Sequence, residues 1–144
     1  MEANPLLPVG FQHPLPHSTL QMLSPAALAY LGDAVFEIYI RTQYLLPPSR
    51  IRDYHQQVVT CVRAETQAMF MVALLPRLSD AEKQISKQGR NAATGQPKRL
   101  LPEVYRQATA LETLVGYLYL TDSCRLQEIL GYFSLEELAK TPKS

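Results

Sequence analysis

Two acidic residues sit inside apolar helical runs, each with a glycine nearby, and they are the chain's best candidates for chemistry. Asp33 directly follows Gly32 in Leu28-Ala29-Tyr30-Leu31-Gly32-Asp33-Ala34-Val35-Phe36-Glu37. Glu112 precedes Gly116 by one helical turn in Leu111-Glu112-Thr113-Leu114-Val115-Gly116. A carboxylate among such neighbours is costly unless it is paired, hydrogen-bonded or bound to a cation. A glycine costs roughly 1 kcal/mol against alanine in a helix interior, so each marks a place where something approaches the backbone. If the two helices cross at their glycines, the two carboxylates meet and repel unless a cation lies between them. Hard oxygen ligands select Mg²⁺, with Mn²⁺ as a substitute. A carboxylate-held divalent cation points to phosphoryl chemistry, because the metal neutralises phosphate charge and activates water. The plainer alternative has Asp33 facing water at the edge of its stripe and Glu112 paired with Arg106 or Arg125.

A second feature is electrostatic. Between Glu82 and Glu103 there is no acid, while Lys83, Lys87, Arg90, Lys98 and Arg99 are present. Cations on a helix end and a Gly-containing loop can follow a phosphate backbone, with Asn91, Thr94 and Gln96 as further donors. Lys87, Arg90, Asn91, Lys98 and Arg99 are therefore the candidate nucleic-acid backbone contacts. Few aromatics interleave them, which favours the backbone of a duplex over stacking on single strands. The net charge is only +1, so such a surface is a local patch rather than a global field. The alternative is a basic loop that is merely solvated.

The elements that must position these residues read as helices throughout. Ser24 and Pro25 open the first long one, which Pro47-Pro48 must end near residues 44–46. Ser49 is expected to cap a single long helix over 50–75, in which Arg50, Arg52, His55, Gln56 and Arg63 are solvated by default. Ser79-Asp80-Ala81-Glu82 is a capping box; its helix should run to Gln88, with Gly89 as the stop and 90–99 as a loop. The acidic helix at Glu112 spans about 103–120, and a second capping box at Ser134-Leu135-Glu136-Glu137 opens a short last helix. Nothing alternates with period two, so the chain is all-α, with no internal repeat.

The 144 residues suit one domain, expected over 24–140, preceded by a Pro-rich arm over 1–23. His13 and His17 belong to that arm as solvated residues rather than ligands. Cys61 and Cys124 lack metal spacing and are expected to be buried thiols in a reducing compartment. With no targeting pattern and an apolar run interrupted by Asp33, Glu37 and Arg41, the expectation is a cytoplasmic protein without a membrane span.

The helix around Gly32-Asp33 resembles the signature helix of the ribonuclease III catalytic-domain family. Tyr105-Arg106-Gln107-Ala108-Thr109-Ala110-Leu111-Glu112-Thr113-Leu114-Val115-Gly116 resembles that family's second acidic helix. Gly89-Arg90-Asn91-Ala92 and the short chain narrow the likeness to the Mini-ribonuclease III branch, over roughly residues 22–133. The resemblance implies a ribonuclease III-like helical bundle forming a homodimer, and a Mg²⁺-dependent endoribonuclease that cuts double-stranded RNA and leaves 5′-phosphates. It implies a role in maturing the large-subunit ribosomal RNA precursor, with a ribosomal protein that presents the substrate as a further partner to test. By the same resemblance Asp33 is the main catalytic acid, Glu112 the second metal ligand, and 90–99 the RNA-contacting segment. The chain departs from full-length ribonuclease III at Ala29 and Thr109, where that pattern carries further carboxylates. Glu37, one turn after Asp33, is at most a supporting group. The competing readings are a non-catalytic RNA-binding or ribosome-associated module on the same fold, and a helical dimerisation partner with no RNA role.

Overall fold

A computed structural model describes residues 15–93 and 98–142. Its elements are α1 (His17–Leu20), α2 (Pro25–Gln43), α3 (Ile51–Val62), α4 (Ala64–Leu74), a 3₁₀ turn (Leu75–Arg77), α5 (Asp80–Ala92), α6 (Pro102–Thr121), α7 (Ser123–Leu130) and α8 (Leu135–Ala139). The fold is all-α. Among the described residues no single helix is long and apolar enough to cross a membrane.

Local side-chain chemistry sets the starts of α2, α5, α7 and α8. The Ser24 hydroxyl accepts from the Ala27 N–H at 3.0 Å, with Pro25 in the first turn of α2. Ser79 with Glu82 and Ser134 with Glu137 form complete capping boxes on α5 and α8. Asp122 Oδ1 accepts from the Arg125 N–H at 3.0 Å and starts α7. Ser49 has no such role, because Arg50 takes the N-cap position of α3 without a side-chain bond.

The centre of the molecule is α6, with α2, α4 and α5 packed along it. Ala108, Leu111, Leu114, Val115 and Leu118 on α6 are buried, as are Phe36 and Ile40 on α2. Phe70 on α4 joins the layers, edge-on to Phe36 at 6.0 Å and to Phe133 at 5.0 Å between ring centroids. Phe70 and Met71 are therefore core residues.

Four sequence expectations are corrected here. The helix expected over 50–75 is two, α3 and α4, meeting at 46° where Arg63 is extended. Thr66 Oγ1 donates to the Thr60 carbonyl at 2.7 Å and Gln67 Nε2 to the Val62 carbonyl at 2.9 Å, so polar side chains satisfy the carbonyls the break exposes. Arg63 is not a solvated residue either; its Nη2 donates to the Thr141 carbonyl. The helix expected to stop at Gly89 continues to Ala92, because Gly89 is a packing position: a Cβ there would lie 2.2 Å from Thr113 Oγ1. Of the two thiols only Cys61 is buried, while Cys124 is exposed. In the arm, 15–23 includes the single turn α1, and Leu15 N–H bonds the Leu120 carbonyl at 3.2 Å. His13 and the rest of 1–14 lie outside the described residues, whereas His17 is exposed and its ring hydrogen-bonds the Gln21 side chain at 3.1 Å.

Candidate active site

Helices α2 and α6 cross with backbone against backbone. A Cβ on Gly32 would sit 1.7 Å from the Glu112 carbonyl oxygen, and one on Gly116 would sit 2.0 Å from the Leu28 carbonyl oxygen. Only hydrogen fits at either point, so the axes approach more closely than any side chain would allow. Asp33 follows Gly32 and Glu112 touches it, so this crossing brings the two acids together.

The Asp33 carboxyl lies within hydrogen-bonding reach of Glu112. Burial pushes the Glu112 carboxyl up to about 8, and the bond to Asp33 and its negative charge add to the rise. Asp33 is exposed, whereas Glu112 is half-buried. Glu112 therefore keeps its proton at neutral pH, and the bond between the two carboxyls needs it. The alternative pairing of Glu112 with basic neighbours does not occur: Arg106 faces Glu103, and Arg125 faces Glu82 and Glu128.

Both carboxylates line one open cleft of about 290 Å³, walled by Ala29 and Tyr30 of α2, Gly89 and Ala92 of α5, and Tyr105 and Thr109 of α6. Ala29 leaves room, and the Thr109 hydroxyl donates its proton to the Tyr105 carbonyl at 2.9 Å. Among the described residues no set of three or more His, Cys, Asp or Glu forms a cation site. Two facing carboxylates with oxygen donors only, open to water on one side, still fit a hard divalent cation, which keeps several of its waters. Such a cation would offset both the burial and the Asp33 charge that raise Glu112. Glu37 takes no part, since it pairs with Arg41.

The candidate RNA contacts fall into two groups. Lys87 and Asn91 are exposed on α5, and Lys98 is exposed just beyond 94–97. The expected donors Thr94 and Gln96 lie outside the described residues. Arg90 and Arg99 are each met by an acid from elsewhere in the chain. Arg90 bonds Glu103, and Arg99 Nη1 lies 3.7 Å from Glu65 Oε2. The sequence reading missed both acids, because they come from outside the acid-free stretch.

Comparison with known proteins gives the same picture. The family model described as the Ribonuclease III domain matches residues 26–123, which contain both acidic helices. A Mini-ribonuclease 3 from Synechocystis sp. is 53% identical over 135 residues, covering 88% of this chain and 94% of that protein. One from Thermosynechococcus vestitus is 52% identical, covering 86% and 83%. A crystal structure of a protein from Fusobacterium nucleatum superimposes with a TM-score of 0.71 at 30% identity, covering 74% of this chain and 89% of that one. With two acidic helices crossing inside the matched region and half the residues shared with such relatives, the chain belongs to the Mini-ribonuclease 3 proteins of the ribonuclease III domain family and is an endoribonuclease.

Proposed function

We propose that the cleft hydrolyses the backbone of double-stranded RNA with Mg²⁺ held by Asp33 and Glu112, Mn²⁺ being an alternative ion. One observation carries the reading: the glycine-to-glycine crossing of α2 and α6 sets two carboxylates against each other in an open cleft. When bound, the ion supplies charge neutralisation at the scissile phosphate and a more acidic water. Everything else is the work of the chain. Glu112, its proton passed to water, would be one carboxylate ligand of that ion, and Asp33, on the exposed side, would be the other, nearer the open end of the cleft. Lys87, Asn91 and Lys98, with Arg90 and Arg99 once these leave their acids, hold backbone phosphates on either side of the cut.

The same reading has the protein act as a homodimer, so that two clefts cut the two strands and leave 5′-phosphates. Exposed large side chains in and just before α2 support it: Met22 is 83% and Tyr30 86% exposed. The resemblance found in the sequence supports the large-subunit ribosomal RNA precursor as the substrate; the reading is of a cytoplasmic protein, with a ribosomal protein that presents the substrate as a further partner to test. The deciding experiment is cleavage of a labelled RNA duplex in Mg²⁺ by the parent and by Asp33→Asn. Asparagine keeps the shape and removes the charge, so cutting should fall by at least about 100-fold with duplex binding retained. A parent that binds the duplex and does not cut it in any divalent cation would overturn the metal-dependent reading.

A further inference from the structure

Arg90, in the last turn of α5, donates from Nη2 to both carboxylate oxygens of Glu103, at 2.9 and 2.8 Å. Glu103 stands in the first turn of α6, where two residues of its own helix attend it. Gln107 Nε2 donates to Oε1 at 2.9 Å, and Arg106 Nε lies 3.6 Å from Oε2. Both members of the Arg90–Glu103 pair face solvent, with side chains 40% and 53% exposed.

A guanidinium offers an oxyanion two parallel-donor edges, Nε with Nη2 and Nη1 with Nη2. Nη2 belongs to both. The Glu103 carboxylate sits across Nη2, the nitrogen common to both edges, so a phosphate that takes either edge competes with it for that nitrogen and its charge. Exchange is cheap, because a solvent-facing pair of this kind holds by a factor of only about two to five. The released carboxylate keeps partners, since Gln107 and Arg106 already reach it. We infer that Glu103 is an internal competitor for the Arg90 phosphate contact, a carboxylate seated where a backbone phosphate of the RNA must sit. The inference rests on reading the chain as a duplex-RNA nuclease with Arg90 among its phosphate contacts. Its consequence is selectivity. A lone phosphate or a short strand meets the cost of exchange with one contact, whereas a long duplex spreads it over many.

The test measures duplex RNA affinity at several salt concentrations for the parent, Glu103→Gln, Arg90→Ala and the double variant. Glu103→Gln should bind the duplex about twofold to fivefold more tightly than the parent. Arg90→Ala should bind more weakly, with a salt slope shallower by about 0.9. In the double variant, Glu103→Gln should add nothing to Arg90→Ala. If Glu103→Gln binds as the parent does, or more weakly, Glu103 does not compete and the inference falls while the nuclease reading stands. If the tightening persists without Arg90, it reflects overall charge and the inference falls likewise. A parent that neither binds nor cuts duplex RNA removes the nuclease reading and this inference together.

Discussion

Glu112 is the residue with the largest electrostatic burden in the site, and its sign is specific. Its carboxyl is raised from 4.5 to about 8 in the fold, so the folded state holds this proton more tightly than the unfolded chain does. The stability that follows is fully present below about pH 4.5 and is lost as pH rises through 8. At about 1.4 kcal/mol per pKa unit, the loss across that window is on the order of a few kcal/mol. In metal-free buffer the melting temperature should therefore fall steadily from pH 5 to pH 8, as followed by calorimetry. Glu112→Gln, which keeps the hydrogen bond to Asp33 without a charge, should flatten that slope. Mg²⁺ added at pH 8 should raise the parent's melting temperature and leave the variant's nearly unmoved, which separates cation binding from non-specific stabilisation. A parent whose stability is flat over this range would mean that Glu112 does not hold its proton more tightly in the fold.

What makes Glu112 costly is built at the level of the helix pair. The pattern of an acid beside or one turn from a glycine was legible on both helices, and the crossing follows from it, because Gly32 and Gly116 are where a side chain would strike the opposite backbone. Gly116→Ala places a methyl 2.0 Å from the Leu28 carbonyl oxygen, so α2 must move off α6. Overpacking of this kind costs about 1–3 kcal/mol. A shift near 1 Å at a catalytic pair costs about 100-fold in rate. Gly116→Ala should thus still fold, melt lower, and cut duplex RNA about two orders of magnitude more slowly. A variant with full activity would show that the crossing does not set the site. Other elements were illegible for a physical reason: their determinants lie far away in sequence. Gly89 looks like a helix stop until Thr113 is placed against it. The bend at Arg63 has no Pro or Gly, and its carbonyls are satisfied by Thr66 and Gln67 at spacings that no local cap uses. Glu103 and Glu65 reach into the basic stretch from outside it, so an acid-free run in sequence is not acid-free in space.

At the scale of the whole molecule, one side chain ties the wall of the cleft to the C-terminal helices. Arg125 of α7 donates to both carboxylate oxygens of Glu82 at 2.8 and 2.9 Å, to Glu128 at 2.7 Å, to Tyr132 at 3.2 Å and to the Arg77 carbonyl at 2.9 Å. Arg77 in turn lies over the Tyr132 ring at 4.5 Å. Glu82 is the capping-box acid of α5, the helix whose far end brings Gly89, Ala92 and Ala93 to the cleft. The bond to Arg125 holds the Glu82 carboxyl below its ordinary 4.5. A lowered carboxylate stabilises the fold above its unfolded value, and that contribution is lost as pH falls below about 4.5. Glu82 and Glu112 thus bound the metal-free molecule from opposite sides, one giving way in acid and the other towards pH 8. Arg125→Ala leaves Glu82 buried and charged, and breaking such a pair costs about 3 kcal/mol. The melting temperature should drop and the Glu82 contribution to the acid-side slope should disappear, while the decline towards pH 8 persists. Adding Glu82→Gln should recover part of the loss, because the unpaired charge is then gone. If the double variant is no more stable than Arg125→Ala alone, the tie acts through packing rather than charge.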